Sequence, residues 1–204
     1  MRLFAVLLLF ASSSLMTPVK AEGRWNVYGG GSISHLCETP WIGSDKSYGW
    51  GGGFFIGGGY EISFGKHWDL TPQLELGFIN NGATLSSKEL DFYANHSNWM
   101  RTWNVSIPVV TSYRFSVGKA TALRIGAGPY FQESLSGKCY ANGTDTKTNL
   151  SGTFADRFNL GAMGEVALHT GNHLSYMLRV QYPFLKEGWI RKTMTLSAGI
   201  RYSF

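Results

Sequence analysis

The residues of this chain that could take part in chemistry are charged side chains in segments where every second residue is apolar. They are three glutamates and five arginines: Glu61, Glu75, Glu165, Arg114, Arg124, Arg157, Arg179 and Arg201. Because apolar residues alternate with them, the charges share one face of each extended strand. Charges that face a narrow interior should pair, since an unpaired buried charge is costly. The pattern predicts a charge network, with an ion or solute path as the alternative.

Two histidines next to serines raise the possibility of nucleophilic catalysis. Among the five histidines, His35 follows Ser34 and His96 precedes Ser97. Adjacent residues on an extended chain point to opposite sides, so neither pair is a preformed dyad. The sequence therefore predicts no catalytic residue and no enzyme, and a lipid-modifying enzyme is kept as a lesser alternative.

Metal, phosphate and redox chemistry have little support. No His/Cys cluster has metal-ligand spacing, and no helix follows the glycine-rich runs at residues 29–31 and 51–53 that would make them phosphate loops. We expect no metal and no cofactor. The two cysteines, Cys37 and Cys139, allow a disulfide in an oxidising compartment, and two unpaired thiols are the alternative.

The elements that position these residues begin after an export signal. Arg2 precedes an apolar run at residues 3–10, and Val19, Lys20 and Ala21 form a small-x-small cleavage site. The apolar run is too short to span a membrane. We therefore expect a signal peptide over residues 1–21 and a single domain over residues 22–204.

Composition and charge narrow the class of protein. Of 204 residues, 26 are glycine, while 15% are aromatic and 15% are charged. This composition favours closely packed strands separated by turns. No basic run concentrates the net charge of +5, so we predict no nucleic-acid partner.

The clearest strand is the last segment, residues 192–204, whose apolar and polar residues alternate without interruption. Its apolar face consists of Met194, Leu196, Ala198, Ile200, Tyr202 and Phe204. The alternation persists for about the ten residues that a tilted strand needs to cross a bilayer. The segment resembles the terminal strand of outer-membrane β-barrels, and we expect Tyr202 and Phe204 to be the signal that the barrel assembly machinery reads.

Seven further segments repeat this alternation. They span residues 25–34, 48–62, 68–79, 99–115, 120–135, 154–169 and 173–184. Connections are long after the first, third and fifth segments and short after the second, fourth and sixth, as in outer-membrane barrels. The sequence predicts an all-β fold, an eight-stranded antiparallel up-and-down transmembrane β-barrel with a polar, plugged interior. Its partners would be outer-membrane lipid and the assembly machinery.

Three segments resemble a known family. Residues 103–115 read WNVSIPVVTSYRF, residues 124–131 read RIGAGPYF and residues 196–204 read LSAGIRYSF. An aromatic-led strand with a central Ile-Pro, a Gly-x-Gly-Pro-Tyr strand and a terminal aromatic strand are similar to the Bacteroidetes-type outer-membrane β-barrel domain family, with its PorT-like and OmpX-like small barrels. The resemblance implies a location in the bacterial outer membrane and, as one version of function, a link to protein secretion.

The function expected from the sequence is a non-enzymatic structural or interaction role in the cell envelope, with an envelope protein as partner. A surface adhesin or ligand-binding barrel acting through extracellular loops is the first alternative. Apolar islands at residues 41–42, 90–93 and 189–190 interrupt otherwise polar loops. Such islands could dock a partner, cap the barrel mouth or enter the outer leaflet.

Overall fold

The strands of the protein are given by a computed structural model that describes residues 22–36, 46–48, 50–85, 96–118, 120–141, 144–149, 157–171, 173–184 and 193–204. The predicted signal peptide and the three apolar islands lie outside the described residues. The described strands are β1 Glu22–Leu36, β2 Lys46–Tyr48, β3 Trp50–Phe64, β4 Trp68–Leu85, β5 His96–Ser116, β6 Thr121–Ala141, β7 Thr144–Asn149, β8 Phe158–Thr170, β9 Leu174–Pro183 and β10 Thr193–Ser203. No helix within this part of the chain is long and apolar enough to cross a membrane.

Eight of these strands close into an antiparallel barrel. The ring follows chain order from β1 through β3, β4, β5, β6, β8 and β9 to β10. The ring closes where β10 pairs with β1, from Asn26 opposite Ser203 to Leu36 opposite Thr193. The short strand β2 pairs with β4, and β7 pairs with β6. The predicted fold class is confirmed.

The outward faces are apolar and carry two aromatic belts. The belt at the end of the barrel with the short turns, called the turn end, consists of Trp25, Tyr60, Trp68, Tyr113, Phe115, Tyr202 and Phe204. At the opposite end, called the loop end, Phe54, Phe78 and Trp103 lie with ring centroids 5.1 to 5.7 Å apart. Exposed aliphatic residues such as Ile56, Leu74, Ile107 and Leu178 lie between the belts. This distribution matches a surface in contact with lipid.

Glycines on the inward faces let neighbouring strands and side chains approach closely. A Cβ on Gly57 would lie 2.6 Å from the ring of Tyr28 and 2.7 Å from the carbonyl oxygen of Leu74. On the opposite side of the barrel, a Cβ on Gly161 would likewise collide with the ring of Tyr130. Both glycines therefore make room for a tyrosine inside the ring.

The strands at the loop end are longer than the sequence predicts. We expected loops over residues 80–98 and 136–153, but β4 and β5 pair as far as Leu85 and His96, and β6 pairs with β7. Both faces of a sheet meet water beyond the membrane, so the alternation that reveals a strand is lost there. The strands β5 and β6 have 21 residues each, about twice the ten or so needed to cross a bilayer.

Candidate functional site: the charged interior of the barrel

The charged side chains predicted from alternation meet inside the barrel in two clusters. The turn-side cluster consists of Glu61, Asp69, Arg114 and Arg124. The central cluster consists of Glu75, Glu165, Arg179 and Arg201. Each cluster joins two carboxylates to two guanidiniums, so its formal charges balance.

Glu61 is the main acceptor of the turn-side cluster. Arg124 donates from both terminal nitrogens to its two carboxylate oxygens, at 2.7 and 2.6 Å. Arg114 donates to Asp69 at 2.7 Å and to Glu61 at 3.2 Å. The two arginines lie directly opposite each other on β5 and β6, a position that is destabilising for like charges alone. The carboxylates of β3 and β4 compensate for this repulsion.

Arg179 holds the central cluster together. Its Nε donates to Glu165 at 2.7 Å, its Nη1 to Glu75 at 2.6 Å and its Nη2 to Gln73 at 2.7 Å. Arg201 donates to the same oxygen of Glu165 at 2.8 Å. The side chains of both arginines are only 1% exposed. Charge-assisted bonds between such desolvated groups are strong, and the loss of one partner is costly.

Apolar and neutral side chains fill the rest of the described interior. Tyr28, Phe55, Ala167 and Met177 form one buried group, and Val110, Tyr130 and Met163 form another. The ring of Tyr28 covers the guanidinium of Arg179 at 4.4 Å. Toward the loop end, polar side chains such as Asn104, Gln132 and Gln181 line a cavity with about 20 Å³ of space for water-sized molecules. Such a space holds about one water. The buried ion pairs and the two apolar groups plug the described interior, as predicted.

Seven of the eight predicted network residues lie in the two clusters. The eighth, Arg157, lies outside both, 3.6 Å from Glu133, and the side chains of this pair are 36% and 33% exposed. Arg157 precedes the first residue of β8, where alternation no longer determines the side. Asp69 was not among the predicted network residues, although its spacing from Thr71 and Gln73 in β4 indicates that it faces inward.

A serine and a histidine that sequence analysis did not pair are in contact inside the barrel. The hydroxyl of Ser175 lies 2.7 Å from Nδ1 of His169, across the turn between β8 and β9. The equivalent positions of the turn between β3 and β4 hold Ser63 and Asp69, also 2.7 Å apart. Ser175 is 0% exposed, and the bond recurs in the second hairpin, so it ties the two strands of each hairpin together.

The Ser34–His35 pair points apart, as expected from the extended chain. Ser34 is buried with its hydroxyl 3.4 Å from the carbonyl oxygen of Gly51, whereas the ring of His35 lies 5.0 Å from that of Trp50. Cys37 and the side chains of His96, Ser97 and Cys139 lie outside the part of the chain that the structure describes. The disulfide therefore stays a prediction, which thiol titration of unreduced protein tests. Among the described residues, no group of three or more His, Cys, Asp or Glu could hold a metal ion.

A closed barrel with an apolar outer surface, two aromatic belts and a charged, plugged interior defines an integral protein of the bacterial outer membrane. The model of the family described as outer membrane protein beta-barrel domain matches residues 11–187, and the chain belongs to this family. The family match and the fold confirm the predicted location in the outer membrane.

Solved structures share the architecture at low sequence identity. OprG from Pseudomonas aeruginosa has 13% identity and a TM-score of 0.51, with 90% of this chain and 97% of OprG covered. Ail, the attachment invasion locus protein of Yersinia pestis, has 14% identity and a TM-score of 0.45, with 90% and 99% covered. Neisserial surface protein A has 11% identity and a TM-score of 0.46, with 88% and 97% covered. No curated relative matches the chain. At such identities the likeness to OprG shows the fold alone.

Proposed function

We propose that this protein is a non-enzymatic outer-membrane barrel that acts by binding another molecule and not by passing solutes. The observation that carries the proposal is the plugged interior, in which Arg124, Arg179 and Arg201 are buried in ion pairs across the barrel. A solute path would require these pairs to break, and breaking one buried pair costs about 3–5 kcal/mol.

The loop end supplies the surface for binding. The paired strands β4, β5 and β6 continue past the aromatic belt at Phe78 and Trp103 to Leu85, His96 and Ala141. With β2 and β7 at its sides, this extension is a sheet that stands beyond the lipid-facing band. Paired strands hold side chains for specific contacts more precisely than a long irregular loop does.

Two versions of the binding role differ in the partner. The resemblance to PorT-like proteins supports an envelope partner and a link to protein secretion. The sheet at the loop end supports the alternative of a surface adhesin or ligand-binding barrel, because short turns of such barrels face the periplasm and the loop end faces outward.

Cross-linking in intact cells, followed by purification from mildly solubilised outer membranes, tests the proposal. We expect a stoichiometric partner with the unaltered protein. Alanine at Leu90, Phe92 and Tyr93 should abolish capture of a partner bound at the loop end, and Lys66→Ala at the turn end should leave that capture unchanged. The reverse pattern would favour a periplasmic partner and the secretion version. Recovery of the barrel alone, together with no ligand bound by the loops, would contradict both.

The enzyme alternative is tested separately. The contact between Ser175, which is 0% exposed, and the part-buried His169 supports the non-enzymatic proposal, because a substrate would have to displace packed side chains to reach the serine. Mass spectrometry of lipid A from cells with and without the gene product should give identical spectra. A modification that disappears with the protein would replace the binding proposal by a lipid-modifying activity.

A further inference from the structure

Two exposed histidines occupy matching positions at the turn end of the barrel. His67 ends the turn between β3 and β4, and His173 ends the turn between β8 and β9. Each histidine follows by two residues a glycine with a φ of 69°, Gly65 or Gly171, a conformation that glycine adopts without strain. The strand pairs β4–β5 and β9–β10 that hold the histidines lie on opposite sides of the ring. The barrel therefore carries the same local structure twice.

A tyrosine of the turn-end belt fixes the plane of each imidazole. The ring of His67 stacks on that of Tyr113 with centroids 5.3 Å apart and planes at 20°. The ring of His173 stacks on that of Tyr202 with centroids 5.5 Å apart and planes at 20°. The two stacks thus have nearly equal geometry.

The backbone of the neighbouring strand fixes which ring nitrogen carries hydrogen. Nδ1 of His67 lies 3.3 Å from the carbonyl oxygen of Arg114, and Nδ1 of His173 lies 2.7 Å from that of Ser203. The amide nitrogens of Arg114 and Ser203 donate in return to the carbonyl oxygens of the same histidines, at 2.7 and 2.8 Å. A carbonyl oxygen only accepts, so Nδ1 is the donor in both rings. In the neutral imidazole, Nε2 is then a hydrogen-bond acceptor.

Both acceptors lie at the depth of lipid headgroups. Trp68 follows His67 directly, and the stacked tyrosines contact Phe115 and Phe204 at centroid distances of 4.7 and 5.2 Å. Aromatic belts of this kind lie at the boundary between hydrocarbon and headgroups. A fixed acceptor at this depth is complemented by a headgroup that donates a hydrogen bond, and an ammonium, with three N–H donors and a positive charge, is the strongest such donor.

We propose that His67 and His173 are two equivalent sites for a phospholipid whose headgroup ends in a primary ammonium, of the ethanolamine type. An ammonium N–H of the headgroup donates to Nε2, while the stacked tyrosine and the carbonyl at Nδ1 hold the imidazole in position. The inference is independent of the partner proposed for the loop end.

Native mass spectrometry tests the two sites. The full barrel is released from vesicles that contain equal amounts of phosphatidylethanolamine and phosphatidylcholine with identical acyl chains. The trimethylated amine of phosphatidylcholine has no N–H, so the comparison isolates the hydrogen bond. We expect up to two retained ethanolamine lipids and a preference of roughly two- to tenfold per site, the value of one net hydrogen bond. Equal retention of the two lipids by the unaltered protein would overturn the proposal.

Substitutions at the two histidines test whether they cause the preference for ethanolamine lipids. Phenylalanine keeps the stack on tyrosine and removes both nitrogens, so His67→Phe or His173→Phe should lose one of the two retained lipids. The double variant should lose the preference for the ethanolamine lipid. Its mobility on gels should still change on heating, which shows that its barrel is folded. The matched control is His35→Phe, beside Trp50 at the loop end, which should retain the preference. A preference that persists in the double variant would assign the lipid selectivity to other groups and refute the two sites.

Discussion

Arg124 on β6 and Glu61 on β3 face each other across the barrel interior and are joined by two hydrogen bonds of 2.7 and 2.6 Å. Their side chains are 3% and 4% exposed. The two strands are not neighbours in the ring, so the ion pair links opposite walls that share no backbone hydrogen bonds. This pair closes the turn end of the interior.

Loss of one partner of this pair should strongly destabilise the barrel. Arg124→Met leaves the carboxylate of Glu61 buried with fewer donors, and we expect a loss of about 3–5 kcal/mol. The double variant Arg124→Met, Glu61→Met should be less destabilised than the single one, since no uncompensated charge is left. Urea unfolding in lipid vesicles, followed by tryptophan fluorescence, measures both.

The pair of Arg157 and Glu133, whose side chains are about one-third exposed, is the matched control for this experiment. Arg157→Met should change the free energy of unfolding by no more than about 1 kcal/mol, as for other surface pairs. Equal losses for Arg124→Met and Arg157→Met would show that the buried position of the first pair contributes nothing.

Addition of one methyl group at Gly57 should destabilise the barrel, because the new Cβ would lie 2.6 Å from the ring of Tyr28 and 2.7 Å from the carbonyl oxygen of Leu74. Overpacking of this kind costs about 1–3 kcal/mol. Gly52→Ala on the same strand is the control, since its Cβ would meet nothing within 4 Å. The same urea unfolding assay should separate the two variants, and indistinguishable midpoints would contradict the close packing at Gly57.

The unaltered protein should show no stable, large conductance in planar bilayers, because the two charge clusters and the buried apolar groups fill the described interior. Arg179→Ala with Arg201→Ala removes both guanidiniums and leaves the carboxylates of Glu75 and Glu165 unpaired. We expect this variant to give small, cation-selective steps, provided that its gel mobility shows a folded barrel. Reproducible openings on the nanosiemens scale by the unaltered protein would contradict the plugged interior.

The aromatic ring of Phe204 should matter more for assembly in cells than for stability. Phe204→Ala keeps the backbone bond of 2.9 Å from its amide to the carbonyl oxygen of Trp25 but removes the aromatic ring that we expect the assembly machinery to read. The assembled fraction in outer membranes should fall, while refolding in detergent should be nearly unchanged. Phe115→Ala removes a comparable belt aromatic from an internal strand and should assemble normally. Equal assembly of both variants would exclude a special role for Phe204.

The sequence alone determined the strands that cross the membrane and the side to which their residues point. In β4, the alternation predicted that Glu75 faces inward, and the structure buries Glu75 while its neighbours Leu74 and Leu76 are exposed. Lipid outside and a polar interior impose opposite requirements on successive residues, so a period of two is visible without any knowledge of the fold. Where water meets both faces, as beyond Ile79, the period is lost and the prediction ended the strand early.

The tertiary structure decided which inward residues meet. Arg124 pairs with a carboxylate 63 positions away, and Arg179 pairs with one 104 positions away. Alternation gives the direction of a side chain but not its height along the barrel, which depends on the tilt and register of every strand in the closed ring. The division into two balanced clusters, the inclusion of Asp69 and the position of Arg157 outside both clusters therefore follow only from ring closure.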